Sequence, residues 1–453
     1  MYLKRLSADK TFFLILKLFV LYMLINLAME AIVPLKSEFN AFGLRLMVNI
    51  IFYSLIFFVA AFTVASYKKN ILTVLPPVVD QVYGNNYALS KKKLHFMLLS
   101  SSLIGISGLL FMVFDLVVFK KINYSLGLRY ARYQWMATPP PHIFSSILSK
   151  LANGFVMFVF TTIFLIILHW ENIDKKIRFM TIVFAGIGAL GFAAVHASRS
   201  TIIIIGVFII SSLIVRKTQG KSFLPHKKKK TDKKIYILIG AMILLIFYIT
   251  ILSFRMWDGS YKTFFELAYP FFRAAPRTEY YDYLNTALSD NSVLYLVFYV
   301  LMYFIHCQWT MEGTLLLSGT GGQGSFVVIK HYLHQLGIIS EPETLTFIQN
   351  DGLFVAFPGT VFNDFGVLGV LFFASLFGLL LGRAIIHLCG SSRSGGIGIA
   401  FAILMFGELI LSPFGGAHEY TYFVLPLIDM IIFEYFTRIF YKKSSWLYMA
   451  NIA

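Results

Sequence analysis

Apolar residues run along this chain in long blocks, separated by short polar stretches that carry most of its Lys and Arg. The block "FFLILKLFVLYMLINLAMEAIV" at 12–33 is typical, being continuous rather than alternating. A run of about 20 apolar residues matches the roughly 30 Å of hydrocarbon that a transmembrane helix must cross, whereas a membrane barrel shows alternating segments of about ten. The pattern predicts spans near 11–33, 44–66, 94–119, 147–169, 177–195, 201–215 and 235–253, then 359–383, 397–411 and 421–440. The expected fold is therefore all-α, a polytopic transmembrane helix bundle of about 10 spans, rising to 11 or 12 if further segments cross.

Three regions follow. Residues 1–253 form an N-terminal membrane bundle of seven spans, 254–358 a long loop region, and 359–453 a C-terminal bundle of three spans. The segment "SVLYLVFYVLMYFIHCQW" at 292–309 is apolar but short, and letting it cross would move Arg383, Arg393, Arg438, Lys442 and Lys443 to the other side. It is read as an interfacial or re-entrant helix within the loop region. A connector of that length is too long to be passive, so function is expected there.

Composition agrees with a membrane protein. Of 453 residues 58% are hydrophobic and only 13% charged, against roughly 25% charged in soluble domains. The formal net charge of +17 is a topological signal rather than a nucleic-acid one. "RKTQGKSFLPHKKKKTDKK", between spans six and seven, holds nine Lys or Arg, and the positive-inside rule places it in the cytoplasm. Parity then puts both termini inside and the long loop outside. Cys307 and Cys389 fall on opposite sides, so no disulfide between them is expected.

The outer segments should be poor in cations, yet three carry arginine. "KKINYSLGLRYARYQWMATPPPHIFSSILSK" contains Lys120, Lys121, Arg129, Arg132 and Lys150 with no acid. The two lysines are expected to snorkel toward lipid head groups, while Arg129 and Arg132 stand among aromatics, a mixture suited either to phosphate and sugar or to an interfacial aromatic belt. Ser198, Arg199 and Ser200 open the helix of span six, where free N–H groups and the positive dipole end favour an anion, the alternative being an Arg199 that anchors to lipid head groups. In "YPFFRAAPRTEYYDYLNTALSDN" Arg273 and Arg277 are four apart, followed by Glu279, Tyr280, Tyr281 and Asp282. Ion pairing within that loop is the simpler reading of this cluster, and a glycan phosphate the other.

No Walker loop, zincin helix, Cys-x-x-Cys pair or Asp-x-Asp motif is present. Without a motif for a divalent metal, arginines would have to neutralise any departing diphosphate. No cofactor and no metal ligand set is expected. A carboxylate or imidazole would take the proton of an acceptor hydroxyl, and Glu279, Asp282 and His306 are the foremost candidates. Within the spans Glu408 and Asp429 are the acids noted, and each is expected to face the bundle interior or to be protonated.

The chain resembles the bacterial O-antigen polymerases, the Wzy-type oligosaccharide repeat-unit polymerases. The resemblance rests on "SRS" at 198–200 opening a short span, "PRTEYYDYL" at 276–284, and "FNDFGVLGVLFFASLFGLLLG" at 362–382 after a long outer loop. It implies a periplasmic glycosyltransferase of lipopolysaccharide or related polysaccharide biosynthesis, acting on undecaprenyl-diphosphate-linked oligosaccharide without a metal. Arg199, Arg273 and Arg277 would be its pyrophosphate or glycan ligands, supported by Arg129, Arg132, Ser198, Tyr280 and Tyr281. Membrane lipids and a chain-length regulator protein are the implied partners, and nucleic acid is not. The rival readings are an O-antigen ligase, which shares the donor, and a flippase or ion-coupled transporter, for which Lys17, Glu408 and Asp429 would form the pathway.

Overall fold

The computed structural model describes residues 7–33, 35–74, 91–126, 131, 134–135, 137–138, 141–195, 200–219, 221, 274–276, 292–316, 338–339, 355–390, 396–415, 424–432 and 435. Among them the chain is overwhelmingly helical. In order come α1 (Ala8–Ile32), β1 (Leu35–Ser37), α2 (Phe42–Val74), α3 (Lys91–Phe114), α4 (Ile143–Val156), α5 (Phe158–His169), α6 (Lys175–Val195), α7 (Ser200–Thr218), β2 (Ala274–Pro276), α8 (Ser292–Leu315), α9 (Phe357–Gly390) and α10 (Gly396–Leu411). Six stretches of described residues are long and apolar enough to cross a bilayer: Ala8–Ile32, Phe42–Tyr67, Leu94–Phe119, Ile143–Asn172, Lys175–Val195 and Phe357–Cys389. This is a membrane protein. The predicted span at 235–253 lies outside the described residues, and of 421–440 only 424–432 and 435 are described, as helix.

Local chemistry accounts for the helix starts. Ser7 caps α1, its Oγ accepting from the Lys10 amide at 3.4 Å, and His142 caps α4 by accepting the Ser145 amide on Nδ1 at 3.0 Å. Each supplies an acceptor to a first-turn N–H that has no partner within its helix. At the far end of α5, Arg216 donates to the Ile167 carbonyl at 3.1 Å and Lys221 to that of Leu168 at 2.6 Å. Cations on the last carbonyls satisfy orphan acceptors and the negative dipole end together. Arg216 also pairs with Glu171.

Two predicted spans are broken. The run at 147–169 divides at Met157 into α4 and α5, and α9 carries Gly366 at φ 63, ψ −159. That backbone region is open to glycine almost alone, so the helix stops and restarts there. Phe357, on one side of the break, lies 6.5 Å ring to ring from Phe373 on the other. The start of α9 therefore folds back beside its own later turns. Val355, Ala356 and Phe357 are all buried, with the Phe357 amide donating to Ser412 O at 2.8 Å and the Ala356 amide to Cys307 O at 3.3 Å.

Beyond the break α9 packs along α2 over many turns. A Cβ on Gly378 would come within 2.6 Å of Ile56 O, and one on Gly382 within 2.7 Å of Thr63 Cβ. Small residues let the two backbones approach, which is how helices associate where lipid removes the hydrophobic drive. The α8 helix is 24 residues long, about 36 Å at 1.5 Å per residue, and extends six positions past the predicted end. Its second half packs into the bundle, with Ile305 to Leu315 buried throughout.

Lys120 departs from the snorkelling expected of it. The α3 helix ends in a π-helical turn, Asp115–Phe119, which wraps the chain so that the Lys120 amide meets Asp115 O at 2.9 Å. The Lys120 ammonium then lies 3.7 Å from Asp115 Oδ2, both side chains buried. Its acid stood five positions upstream, outside the segment that looked free of acids, while Lys121 is exposed.

Candidate functional site

The α1–β1–α2 corner gathers a buried polar cluster. Glu30, near the end of α1, accepts Arg45 Nη2 on both carboxylate oxygens at 2.9 and 2.8 Å, and accepts Trp309 Nε1 from α8 at 2.9 Å. Arg45 Nη1 lies 3.4 Å from Glu312 Oε1, and the other oxygen of Glu312 accepts the Ala41 amide at 3.0 Å. Arg45 also rests over the Phe42 ring, 4.8 Å from its centre. One guanidinium thus ties together α1, α2 and α8.

Deeper layers follow at intervals of one helical turn. Asn49 Nδ2 donates to Gln308 Oε1 at 2.9 Å, and Gln308 Nε2 to Pro413 O at 2.8 Å. Tyr53 OH lies 3.0 Å from Ser412 Oγ. The Ser412 hydroxyl gives its proton to Leu409 O at 2.9 Å, so the tyrosine is the donor to the serine. Arg45, Asn49 and Tyr53 recur at four-residue spacing and share one face of α2, as do Glu312 and Gln308 on α8. The pairings match in reverse order, so α8 runs antiparallel to α2 here.

A cavity of about 480 Å³ opens beside this ladder. Asn26 and Glu30 of α1, Arg45, Asn49, Tyr53 and Ser54 of α2, and Gln308 of α8 form its polar wall. Apolar residues of α1 and α2, including Leu16, Phe19, Val20, Leu24, Ile50 and Phe57, form most of the rest, with Ile305 and Pro413. Such a mixture of a mostly apolar wall with a few converging polar groups is usual for a ligand site.

The residues singled out from sequence fall unevenly on this frame. Arg129, Arg132, Ser198, Arg199, Arg273, Arg277, Glu279, Tyr280, Tyr281 and Asp282 lie outside the described residues. Their described neighbours are informative. Between Arg273 and Arg277, strand β2 pairs antiparallel with β1, Leu35 opposite Pro276 and Ser37 opposite Ala274. That pairing ties the segment to the corner that holds Glu30 and Arg45. Tyr124 OH donates to Val195 O at 3.3 Å, joining the flanks of the segments that carry Arg129 and Arg199.

His306 is described. It lies within α8, is 1% exposed, and its ring nitrogens are 3.6 and 3.9 Å from Cys307 Sγ. The α8 side chains that reach the cavity are Ile305 and Gln308. Glu408 is buried in α10, consistent with the inward-facing position expected of an in-span acid.

Sequence reasoning passed over Glu30, Arg45, Asn49, Trp309 and Glu312. A signal was present: in "RLMVNIIFY" the polar residues recur every fourth position through an apolar run, and "QWTME" repeats the spacing. No protein-family model, curated protein or solved structure matches this chain.

Proposed function

We propose that this protein is a metal-independent glycosyltransferase of the bacterial inner membrane. It polymerises undecaprenyl-diphosphate-linked repeat units of O-antigen or a related polysaccharide on the periplasmic face, with both termini in the cytoplasm. The observation that carries the reading is the pairing of Leu35–Ser37 with Ala274–Pro276. It joins the residues between Arg273 and Arg277 to the strand that links α1, the helix of Glu30, to α2, the helix of Arg45. Arginines in a segment joined to a bundle of apolar helices suit a substrate that joins an anionic diphosphate to a hydrocarbon chain.

The chemistry asks for two functions. Cations neutralise the departing diphosphate, the role assigned to Arg199, Arg273 and Arg277. A base accepts the proton of the attacking sugar hydroxyl, the role for which Glu279 and Asp282 stand nearest those arginines in sequence. Purified protein given lipid-diphosphate repeat units should yield longer oligomers in the presence of a chelator, and Arg199→Lys or Arg277→Lys should impair it, because an ammonium cannot reproduce a two-pronged contact. Repeat units left unextended by active-purified protein would overturn the reading.

Ion-coupled transport is the second reading, favoured by one observation. The Arg45, Asn49 and Tyr53 ladder leads about 12 Å along α2, eight residues at 1.5 Å each, toward the interrupted helix α9, and interrupted helices line the binding sites of many transporters. Proton or ion flux in proteoliposomes that ceases in Arg45→Met, without glycan extension, would favour it.

A further inference from the structure

Two buried residues on the cavity wall, Arg45 and Asn49, each keep a polar atom unused. They are 3% and 6% exposed. Arg45 commits Nη2 to Glu30, while its Nη1 lies 3.4 Å from Glu312 Oε1 without a hydrogen bond, so an N–H remains to give. The Asn49 amide is oriented by its neighbours. Pro413 O can only accept, so Gln308 turns Nε2 to it and Oε1 to Asn49. Asn49 must then donate through Nδ2, and its Oδ1 is left with no donor. One donor and one acceptor, four residues apart on the same face of α2, are therefore unmet, and a buried polar group without a partner is costly.

The surroundings restrict what can meet them. Val20, Leu24, Leu27 and Ile50 line the cavity and are also 41% to 57% exposed on the outer flank of the bundle. They belong to Ala8–Ile32 and Phe42–Tyr67, two stretches fit to cross a bilayer, so the cavity borders hydrocarbon. Glu30 and Arg45 are the charged residues on its wall, and they are joined to each other. Nothing on the wall calls for a charged head group. A volume of about 480 Å³ is within the range of sites that take small ligands, roughly 300 to 1,000 Å³.

We infer that this cavity binds an uncharged bilayer lipid with a free hydroxyl head, a diacylglycerol, whose hydroxyl sits between Arg45 and Asn49 and whose acyl chains run along α1 and α2 toward the bilayer. A hydroxyl is the small neutral group that both accepts and donates through one oxygen. It accepts from Arg45 Nη1 and gives its proton to Asn49 Oδ1. An ammonium has no lone pair for Arg45, and a carboxylate has no proton for Asn49. Ethanolamine and glycerol phosphates could do both, but they bring ionised groups to a wall whose own charged pair is already joined, at a desolvation cost that a hydroxyl does not incur. This site is separate from the proposed glycan transfer, and its test uses no glycan.

The test is native mass spectrometry of the full chain, released from nanodiscs containing equal amounts of a diacylglycerol, its methyl ether, phosphatidylethanolamine and phosphatidylglycerol with identical acyl chains. The ether keeps the hydrocarbon and the accepting oxygen but has no proton for Asn49. The diacylglycerol should be retained with about a tenfold preference over each of the others, the scale of one buried hydrogen bond. Asn49→Leu should bring the alcohol and its ether to near parity. Leu24→Trp fills the hydrocarbon end from an exposed position, leaves Arg45 and Asn49 in place, and should abolish retention; it decides the matter if the Asn49 variant does not fold. Equal retention of alcohol and ether by the unaltered protein would assign the two polar atoms to water and overturn the proposal. Preferential retention of either phospholipid, or retention by Leu24→Trp at the unaltered level, would overturn it too.

Discussion

Asn49 and Gln308, 259 positions apart in sequence, share a buried hydrogen bond of 2.9 Å between α2 and α8. The bond is the middle rung of a ladder whose upper rung is Arg45 with Glu30 and Glu312 and whose lower rung is Tyr53 with Ser412. Each rung joins α2 to another part of the chain, α1 and α8 above, α8 in the middle and the turn after α10 below, so the ladder holds the corner that frames the cavity.

Breaking the middle rung should be measurable. Asn49→Leu strands the Gln308 carbonyl oxygen, and an unsatisfied buried acceptor costs about 1–3 kcal/mol. Thermal unfolding in detergent should show the loss, and Gln308→Leu in the same chain should add less than its effect alone. Strictly additive effects would mean that the two amides do not act as a pair.

The upper rung should be more sensitive. Arg45→Met removes the guanidinium that Glu30 and Glu312 share, and removing one member of a buried ion pair typically costs about 3–5 kcal/mol. Adding Glu312→Gln to Arg45→Met should restore part of the lost stability. A double variant no better than Arg45→Met would show that repulsion between the carboxylates is not the cause.

Gly366 permits a separation of conformation from space. A Cβ at Gly366 meets nothing within 4 Å, and the same holds for Gly154 inside α4. Gly366→Ala should nonetheless destabilise by about 1–3 kcal/mol through its backbone region, whereas Gly154→Ala should stabilise by up to about 1 kcal/mol through helix propensity. Equal shifts in unfolding temperature for the two variants would contradict the break assigned to α9.

A pH dependence follows from Lys221, just beyond α7. Burial, with Arg216 nearby as the second cause, lowers its pKa from 10.5 to about 8. Below about pH 8 the ammonium is charged whether the chain is folded or not, and the folded state bears the whole penalty. Between about 8 and 10.5 the unfolded chain holds the proton and the folded chain has released it, so stability rises with pH. Lys221→Met should remove this rise, seen as a flatter profile of unfolding temperature over that window. An unchanged slope in the variant would assign the rise to another group.

The spans near 11–33, 44–66, 94–119 and 177–195 were legible because a transmembrane helix satisfies its backbone within itself and shows its apolar character in consecutive residues. The break at Gly366 was less so, since a glycine inside an apolar run reads equally as a packing contact, the role that Gly378 and Gly382 play. Lys120 was misplaced for a related reason: its partner Asp115 lay beyond a π-helical turn that no local pattern announced. The arginine clusters drew attention by standing out against an outer surface expected to lack cations. Arg45 escaped it, lying at the edge of a predicted span where a lone cation is ordinary.

Taken alone, the order of residues established a polytopic helical membrane protein, because hydropathy and local hydrogen bonding act within a single segment and need no knowledge of the neighbours. Tertiary structure decided which segments meet: Arg45 with Glu30 and Glu312, Asn49 with Gln308, β1 with β2. Those choices depend on packing surfaces and on buried charges finding partners across hundreds of residues, and no periodicity within one segment records them.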